Sequence, residues 1–397
     1  MKKRQIALVA IISILMFFGL GTVVQAEIVL GAISNRTAPT SDAGIPHMDG
    51  VLYAWDWINS NGGLNGEKVK VIEIECGYDQ PRTVAAFKRL VGSYKVPLVH
   101  GFGTPDSLAV VPFSTRSKVI YMPLSYLMEW NPEYAPYYFV TNSSYSFAGR
   151  SAVQFVKKEG GKLALIYNPG GFGENPIKDI KDEARKIGVP IVAEENIGYV
   201  PTDAVQQVLK FKETGATHIW MGNTDSAMIV LAKDLKKQGV NAKIIGNIYA
   251  ATENFINTAG ADAEGHYGMY GTVPYGTTSA PAMKDIIATD YKDKTHTHFI
   301  RGWAQTLLVA EAIKRLQFAG KKITGENLKA AFETISDYTA GGLVPPITIT
   351  PEDHYVSMIN PVWQVQNGKY VKIWDNMLDR GVYGWEAIKA TWSPTKD

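Results

Sequence analysis

The sequence predicts an α/β protein made of two doubly wound lobes, and three observations carry that expectation. Short apolar runs alternate with amphipathic stretches of helical spacing, the pattern of parallel strands covered by helices on both faces. The alternation lapses near residue 145 and then restarts, so it reads as two blocks, 27–145 and 146–275. At 397 residues the chain is also longer than a single hydrophobic core usually serves.

In the first block, residues 28–33 read as a strand and 48–59 as a helix with Leu52, Trp55 and Ile58 on one side. Asn59-Ser60-Asn61-Gly62-Gly63-Leu64-Asn65-Gly66 stops that helix and turns the chain into a strand over 68–75. A helix over 83–91 buries Ala86, Phe87, Leu90 and Val91, and 96–99 is the next strand. In the second block the expected strands are 163–167, 191–195, 218–221 and 243–246. The helices between them are 177–187, 204–214 and 227–238. A third stretch breaks the rhythm with helices over 300–318 and 325–335 and short strands over 362–366 and 370–374. This tail is expected to complete both lobes.

The first 26 residues stand apart. Lys2, Lys3 and Arg4 precede an apolar core, and Val24-Gln25-Ala26 puts small residues at the −3 and −1 positions of a signal-peptidase site. Cleavage after Ala26 and export to the periplasm are expected, with an uncleaved anchor as the alternative. Formal net charge is +2, and loss of the three leader cations makes it −1. With no basic run or low-complexity tail, neither nucleic acid nor an anionic membrane is an expected partner. Cys76 is the only cysteine, which excludes an internal disulfide and a thiolate metal cluster.

Motifs for chemistry are missing where they would be needed. Gly101-Phe102-Gly103 begins a G-x-G-x-x-G loop, but Asp106 takes the place of the third glycine, where a carboxylate would repel a pyrophosphate. Residues 62–68 lack the Gly-Lys-Ser/Thr ending of a P-loop, and no G-x-S-x-G elbow occurs. Of seven histidines only His296 and His298 are close, without carboxylates at a zinc-motif spacing. Glu73, Glu75 and Asp79 read as strand-end acids that cap loops and helices. No catalytic residue, cofactor or metal is expected, and the protein is not expected to be an enzyme.

Binding without chemistry remains. A loop at the carboxyl end of a parallel strand, followed by a helix, presents free backbone N–H groups and the positive end of a helix dipole to a carboxylate. Residues 99–107 have that form: Thr104 and Ser107 add hydroxyls, and Gly101 and Gly103 let a ligand approach the backbone. The plainer alternative is that Thr104, Asp106 or Ser107 only caps the helix.

Read in order, "GAISNRTAPTSDAGIPHMDGVLYAWDWINSNGGLNGEKVKVIEIECGYDQP", the Gly-rich end of the third strand and "AGADAEGHYG" resemble the type I periplasmic solute-binding proteins of ABC importers. Within that family the leucine/isoleucine/valine-binding, hydrophobic amino-acid branch is the nearest. The resemblance spans the mature chain, with "INSNGGLNG" and "AGADAEGHYG" its most specific elements. It implies two Rossmann-like lobes joined by a hinge of three crossings, near 144–146, 275–278 and 345–350. The implied lobes are 27–145 with 276–346 and 146–275 with 347–397. It further implies a monomer that closes on a small solute and delivers it to permease subunits. Residues carried over from the family's ligand loops are Phe102, Thr104, Asp106, Ser107, Ser125 and Tyr126 in the first lobe. In the second they are Phe172, Asn223, Thr224, Asn247 and Tyr249.

One departure bears on the ligand. Members that bind amino acids place a second-lobe carboxylate against the ligand's ammonium, where this chain has Asn247, Ile248 and Tyr249. A buried ammonium without an anion costs several kcal/mol. Asp42, Asp106 or Asp225 could supply the charge from elsewhere. Alternatively, the solute is an aromatic or other non-amino-acid carboxylate, or an amide, to which Phe102, Tyr126, Phe172 and Tyr249 offer flat apolar walls. A ligand-sensing module on the same fold is the other functional class.

Overall fold

A computed structural model describes residues 27–292 and 294–392. The expected signal segment lies outside them. Two separate sheets form. The first contains β1 (Glu27–Ser34), β2 (Lys68–Glu75), β3 (Leu98–His100) and β4 (Ile120–Met122), all parallel, in the order β2-β1-β3-β4. The second contains β5 (Leu163–Tyr167), β6 (Ile191–Asn196), β7 (His218–Gly222), β8 (Lys243–Gly246) and β9 (Tyr267–Met269) as parallel strands. A hairpin of β10 (Ile359–Gln366) and β11 (Lys369–Met377) pairs antiparallel with β9, giving the order β11-β10-β9-β8-β7-β5-β6. The predicted terminal strands are thus one longer hairpin that extends the second sheet.

Both sheets reverse direction at the same place in their winding, between β1 and β3 and between β5 and β7. Such a switch point splays the following loops apart and leaves a crevice at the carboxyl ends of the strands. The sequence shows no internal repeat, yet the two windings match.

Helices cover the sheets. In the first half they are α1 (Ser41–Ser60), α2 (Gln80–Tyr94) and α3 (Thr104–Ser117). After it come α4 (Tyr145–Lys158), α5 (Gly171–Glu174), α6 (Ile177–Ile187), α7 (Val205–Thr214), α8 (Asp225–Lys237) and α9 (Glu253–Ala259). The tail adds α10 (Met283–Ala288), α11 (Thr297–Phe318), α12 (Gly325–Phe332), α13 (Arg380–Tyr383) and α14 (Trp385–Ile388). Helix α1 starts earlier than its apolar spacing predicts and runs through Pro46, a residue that usually stops a helix. The Asp79 carboxylate caps α2 by accepting from the Arg82 N–H at 2.8 Å, and Ser144 caps α4 through Phe147 N–H at 3.1 Å.

Helix α11 packs along α1, and glycine makes this contact possible. A Cβ on Gly50 would lie 2.0 Å from the Phe299 carbonyl oxygen, and one on Gly302 would lie 2.1 Å from that of His47. Two backbones this close lock α11 onto the first sheet's covering helix and fix the direction of its side chains.

Candidate functional site

The crevice lies where the strand-end loops of the two sheets meet. It holds a small cavity of about 20 Å³, room for roughly one water. Tyr78, Phe102, Thr104 and Leu124 line it from the first sheet's loops, with Thr40 and Ala43 at the start of α1. Phe172, Thr224 and Tyr249 line it from the second sheet. Across Phe172 is a second cavity of about 10 Å³, bordered by Asn142, Tyr145, Asn247 and Tyr270 among others.

Thr104 opens α3. No side chain caps that first turn, and Pro105 next to it has no N–H to satisfy. The Thr104 hydroxyl hydrogen bonds with Ser125 Oγ at 2.9 Å and with the Tyr145 hydroxyl at 3.2 Å. Tyr145 in turn hydrogen bonds with the Tyr249 hydroxyl at 2.5 Å, and Tyr249 donates to the Leu124 carbonyl at 3.0 Å. This hydroxyl chain links the loop after β4 to the loop after β8. Two further pairs cross the crevice: Ser226 Oγ donates to Asp42 Oδ2 at 3.0 Å, and Tyr78 pairs with Tyr199. The two halves therefore meet largely through side-chain hydroxyl groups.

Of the residues expected from sequence, Phe102, Thr104, Phe172, Thr224 and Tyr249 line the first cavity. Ser125 reaches it through Thr104, and Asn247 borders the second cavity. The Tyr126 ring stands behind, 5.8 Å from Tyr145 and 6.5 Å from Tyr249. Asn223 is turned to loop architecture, donating to the Gly198 carbonyl at 2.8 Å. The Asn247 Oδ1 accepts from the Tyr249 and Ala250 N–H groups and so shapes the turn that presents Tyr249.

Asp106 and Ser107 face away from the cavity. The Asp106 carboxylate is buried beside Cys76, whose Sγ is 3.6 Å away, and burial pushes its pKa up to about 6. Ser107 Oγ donates back to the Phe102 carbonyl at 3.2 Å, and the Ser107 carbonyl accepts from Tyr138. The paired glycines also serve packing. A Cβ on Gly101 would fall 2.2 Å from the Tyr121 ring, and one on Gly103 would fall 2.0 Å from Tyr78. The space they leave is filled by tyrosines.

None of the residues lining either cavity is acidic. Asp225 is fully buried, bonded to the Thr252 hydroxyl at 2.5 Å, and burial raises its pKa well above the ordinary carboxylate range. Asp42 stands at the rim beside Ser226, its pKa also raised by burial. Tyr78 and Tyr145, which line the two cavities, escape a sequence reading. Tyr78 takes a left-handed φ of 56° directly after Gly77, a conformation that local sequence does not announce for a tyrosine.

The family profile described as periplasmic binding protein matches residues 27–369. A protein of Pseudomonas aeruginosa described as an amino acid binding protein is 24% identical over 61% of this chain and 66% of its own length. A leucine-, isoleucine-, valine-, threonine- and alanine-binding protein of the same organism is 21% identical over 75% of this chain and 81% of its own. Among solved structures, a branched-chain amino acid ABC transporter protein from Thermus thermophilus with bound valine superposes with a TM-score of 0.85. It is 22% identical, covering 90% of this chain and all but 1% of that one, 99%. A fatty acid ABC transporter substrate-binding protein from Thermomonospora curvata gives a TM-score of 0.78 at 20% identity, covering 87% of this chain and 91% of its own. These likenesses share the α/β architecture of two mainly parallel sheets, one described with bound valine and the other as a fatty acid transporter protein. The chain belongs to the periplasmic binding protein family, a family of binding proteins.

Proposed function

We propose that this protein captures a small carboxylate-bearing solute with a flat or apolar body, such as an aromatic acid, and not a branched-chain amino acid. The observation that carries this reading is the cavity lining: aromatic rings and hydroxyls, with no acid to receive an ammonium. Tyr78, Phe102, Phe172 and Tyr249 supply flat walls, and the uncapped start of α3 with Thr104 and Ser125 supplies donors for the carboxylate.

In this reading the two lobes, 27–145 with 276–346 and 146–275 with 347–397, close on the solute. The exported protein, cleaved after Ala26, works as a monomer in the periplasm and hands its cargo to permease subunits. Closure follows from differential binding: a ligand touching both loop sets stabilises the form in which they meet. A second reading is an amino acid whose ammonium reaches Asp42. The position of Asp42 at the rim, next to Thr40 and Ala43, and the valine bound by the Thermus relative favour it.

A thermal-shift panel on ligand-stripped mature protein separates the two. Stabilisation rises with the logarithm of ligand concentration over its dissociation constant. Benzoate or phenylacetate should raise the melting temperature more than leucine or valine at equal concentration. The largest shift from a branched-chain amino acid would refute the assignment.

A further inference from the structure

Arg301 lies on α11 immediately before Gly302, whose backbone contact with α1 fixes the helix. Its side chain is fully buried. One terminal nitrogen, Nη1, meets His298 Nδ1 at 2.5 Å, while Nε and Nη2 have no hydrogen-bond partner. Among the described residues no carboxylate lies within ion-pair distance of it. Glu253, an acid of its surroundings, already accepts from the Tyr275 N–H and from the N–H and hydroxyl of Thr297.

A buried guanidinium with two open donors is costly, because such a charge is normally paired or coordinated. Its surroundings point to the crevice. The guanidinium carbon sits 5.2 Å over the ring of Tyr270, which borders the second cavity. Its partner His298 lies 5.9 Å, ring to ring, from Tyr249, which lines the first. The guanidinium is thus one side-chain layer behind the aromatic wall. In that wall Tyr249 accepts from Tyr145, whose hydroxyl can donate to an incoming carboxylate instead, and keeps its own bond to the Leu124 carbonyl. Nε and Nη2 form the edge of the guanidinium that pairs bidentately with a carboxylate.

We propose that Arg301 is a second anion receptor at the inner end of the crevice, so that the solute is a dicarboxylic acid. One carboxylate meets the start of α3 and the other meets Arg301. The inference rests on the carboxylate reading of the same site and narrows it. It also opposes an ammonium at this end, which the guanidinium would repel.

Calorimetric titration of ligand-stripped protein with matched acids tests it: benzoate against terephthalate and hexanoate against adipate, in the wild type, Arg301→Met and Arg301→Lys. At least one diacid should bind wild type about tenfold or more tighter than its monoacid, the range of a charged hydrogen-bond pair. Arg301→Met should abolish that advantage, keep monoacid affinity within about twofold, and leave the ligand-free melting temperature unchanged or higher. Arg301→Lys should retain part of the preference. Monoacid binding without any diacid preference, or a preference that survives in Arg301→Met, overturns the role of Arg301 while leaving the proposed function standing. A lowered melting temperature in both variants makes Arg301 structural and also overturns it. If no carboxylate binds wild type, the parent reading fails with it.

Discussion

The Tyr249 hydroxyl spans the crevice, and its removal should loosen the closed form selectively. It donates to the Leu124 carbonyl at 3.0 Å and hydrogen bonds with the Tyr145 hydroxyl at 2.5 Å. In Tyr249→Phe, Tyr145 keeps Thr104 as a partner, so the group left without its bond is the buried carbonyl of Leu124. A lost hydrogen bond is worth about 1 kcal/mol net, and an unsatisfied buried acceptor adds about 1 more. When the loops separate, water satisfies the same carbonyl, so the cost of about 2 kcal/mol falls on the closed form alone. The ratio of closed to open protein, and with it the apparent affinity, should fall roughly thirtyfold. Calorimetric titration with the strongest ligand of the thermal-shift panel reads the affinity, and small-angle scattering of the ligand-free protein reads the open population. Urea unfolding of the ligand-free protein should change little, because the open form carries its stability. An affinity within about threefold of wild type would refute the view that this bond holds the crevice shut.

Two further substitutions separate binding from folding along α3. Asp106 keeps its proton to about pH 6 when folded and only to about 3.8 when unfolded. Its protonated form therefore stabilises the fold below pH 4, and that contribution is lost as pH rises through 6, on the order of 3 kcal/mol. Asp106→Asn should remove this loss: urea midpoints at pH 7.5 should rise above wild type, with ligand affinity unchanged, and equal midpoints at pH 7.5 would show the carboxylate to be better solvated than its burial implies. Thr104→Val should weaken carboxylate binding roughly 10- to 100-fold, the value of a charged hydrogen bond. Ser107→Ala should instead cost about 1 kcal/mol of stability at the Phe102 carbonyl and leave affinity intact, and the reverse pattern would place the carboxylate at Ser107.

The fold was legible where apolar runs are long and continuous. Strands β1, β5 and β7 carry such runs and β2 shows by alternation, whereas Phe102, Phe172, Thr224 and Tyr249 came with the family resemblance. Strand β9 was not, because Tyr267–Met269 is three residues held by register with β8 and β10 rather than by its own pattern. The opening of α3 shows the limit for side chains. Thr104 and Asp106 are two residues apart and project about 200° apart around the helix, so one faces the crevice when the other faces Cys76. The spacing alone does not say which. Tyr78 reaches the cavity through the gap left at Gly103, and Arg301 is set behind the cavity wall by the backbone contact at Gly302. Close approaches of this kind depend on tertiary packing, which local sequence does not encode.

The protein itself can report the chemistry of its solute. Expressed as the full chain in a bacterial host and purified without denaturation, it should retain part of its cargo. Mass spectrometry of the small molecules released on unfolding then identifies it directly. An organic acid without an amino group is expected, absent from the Thr104→Val control. A released leucine, isoleucine or valine in stoichiometric amount would contradict it.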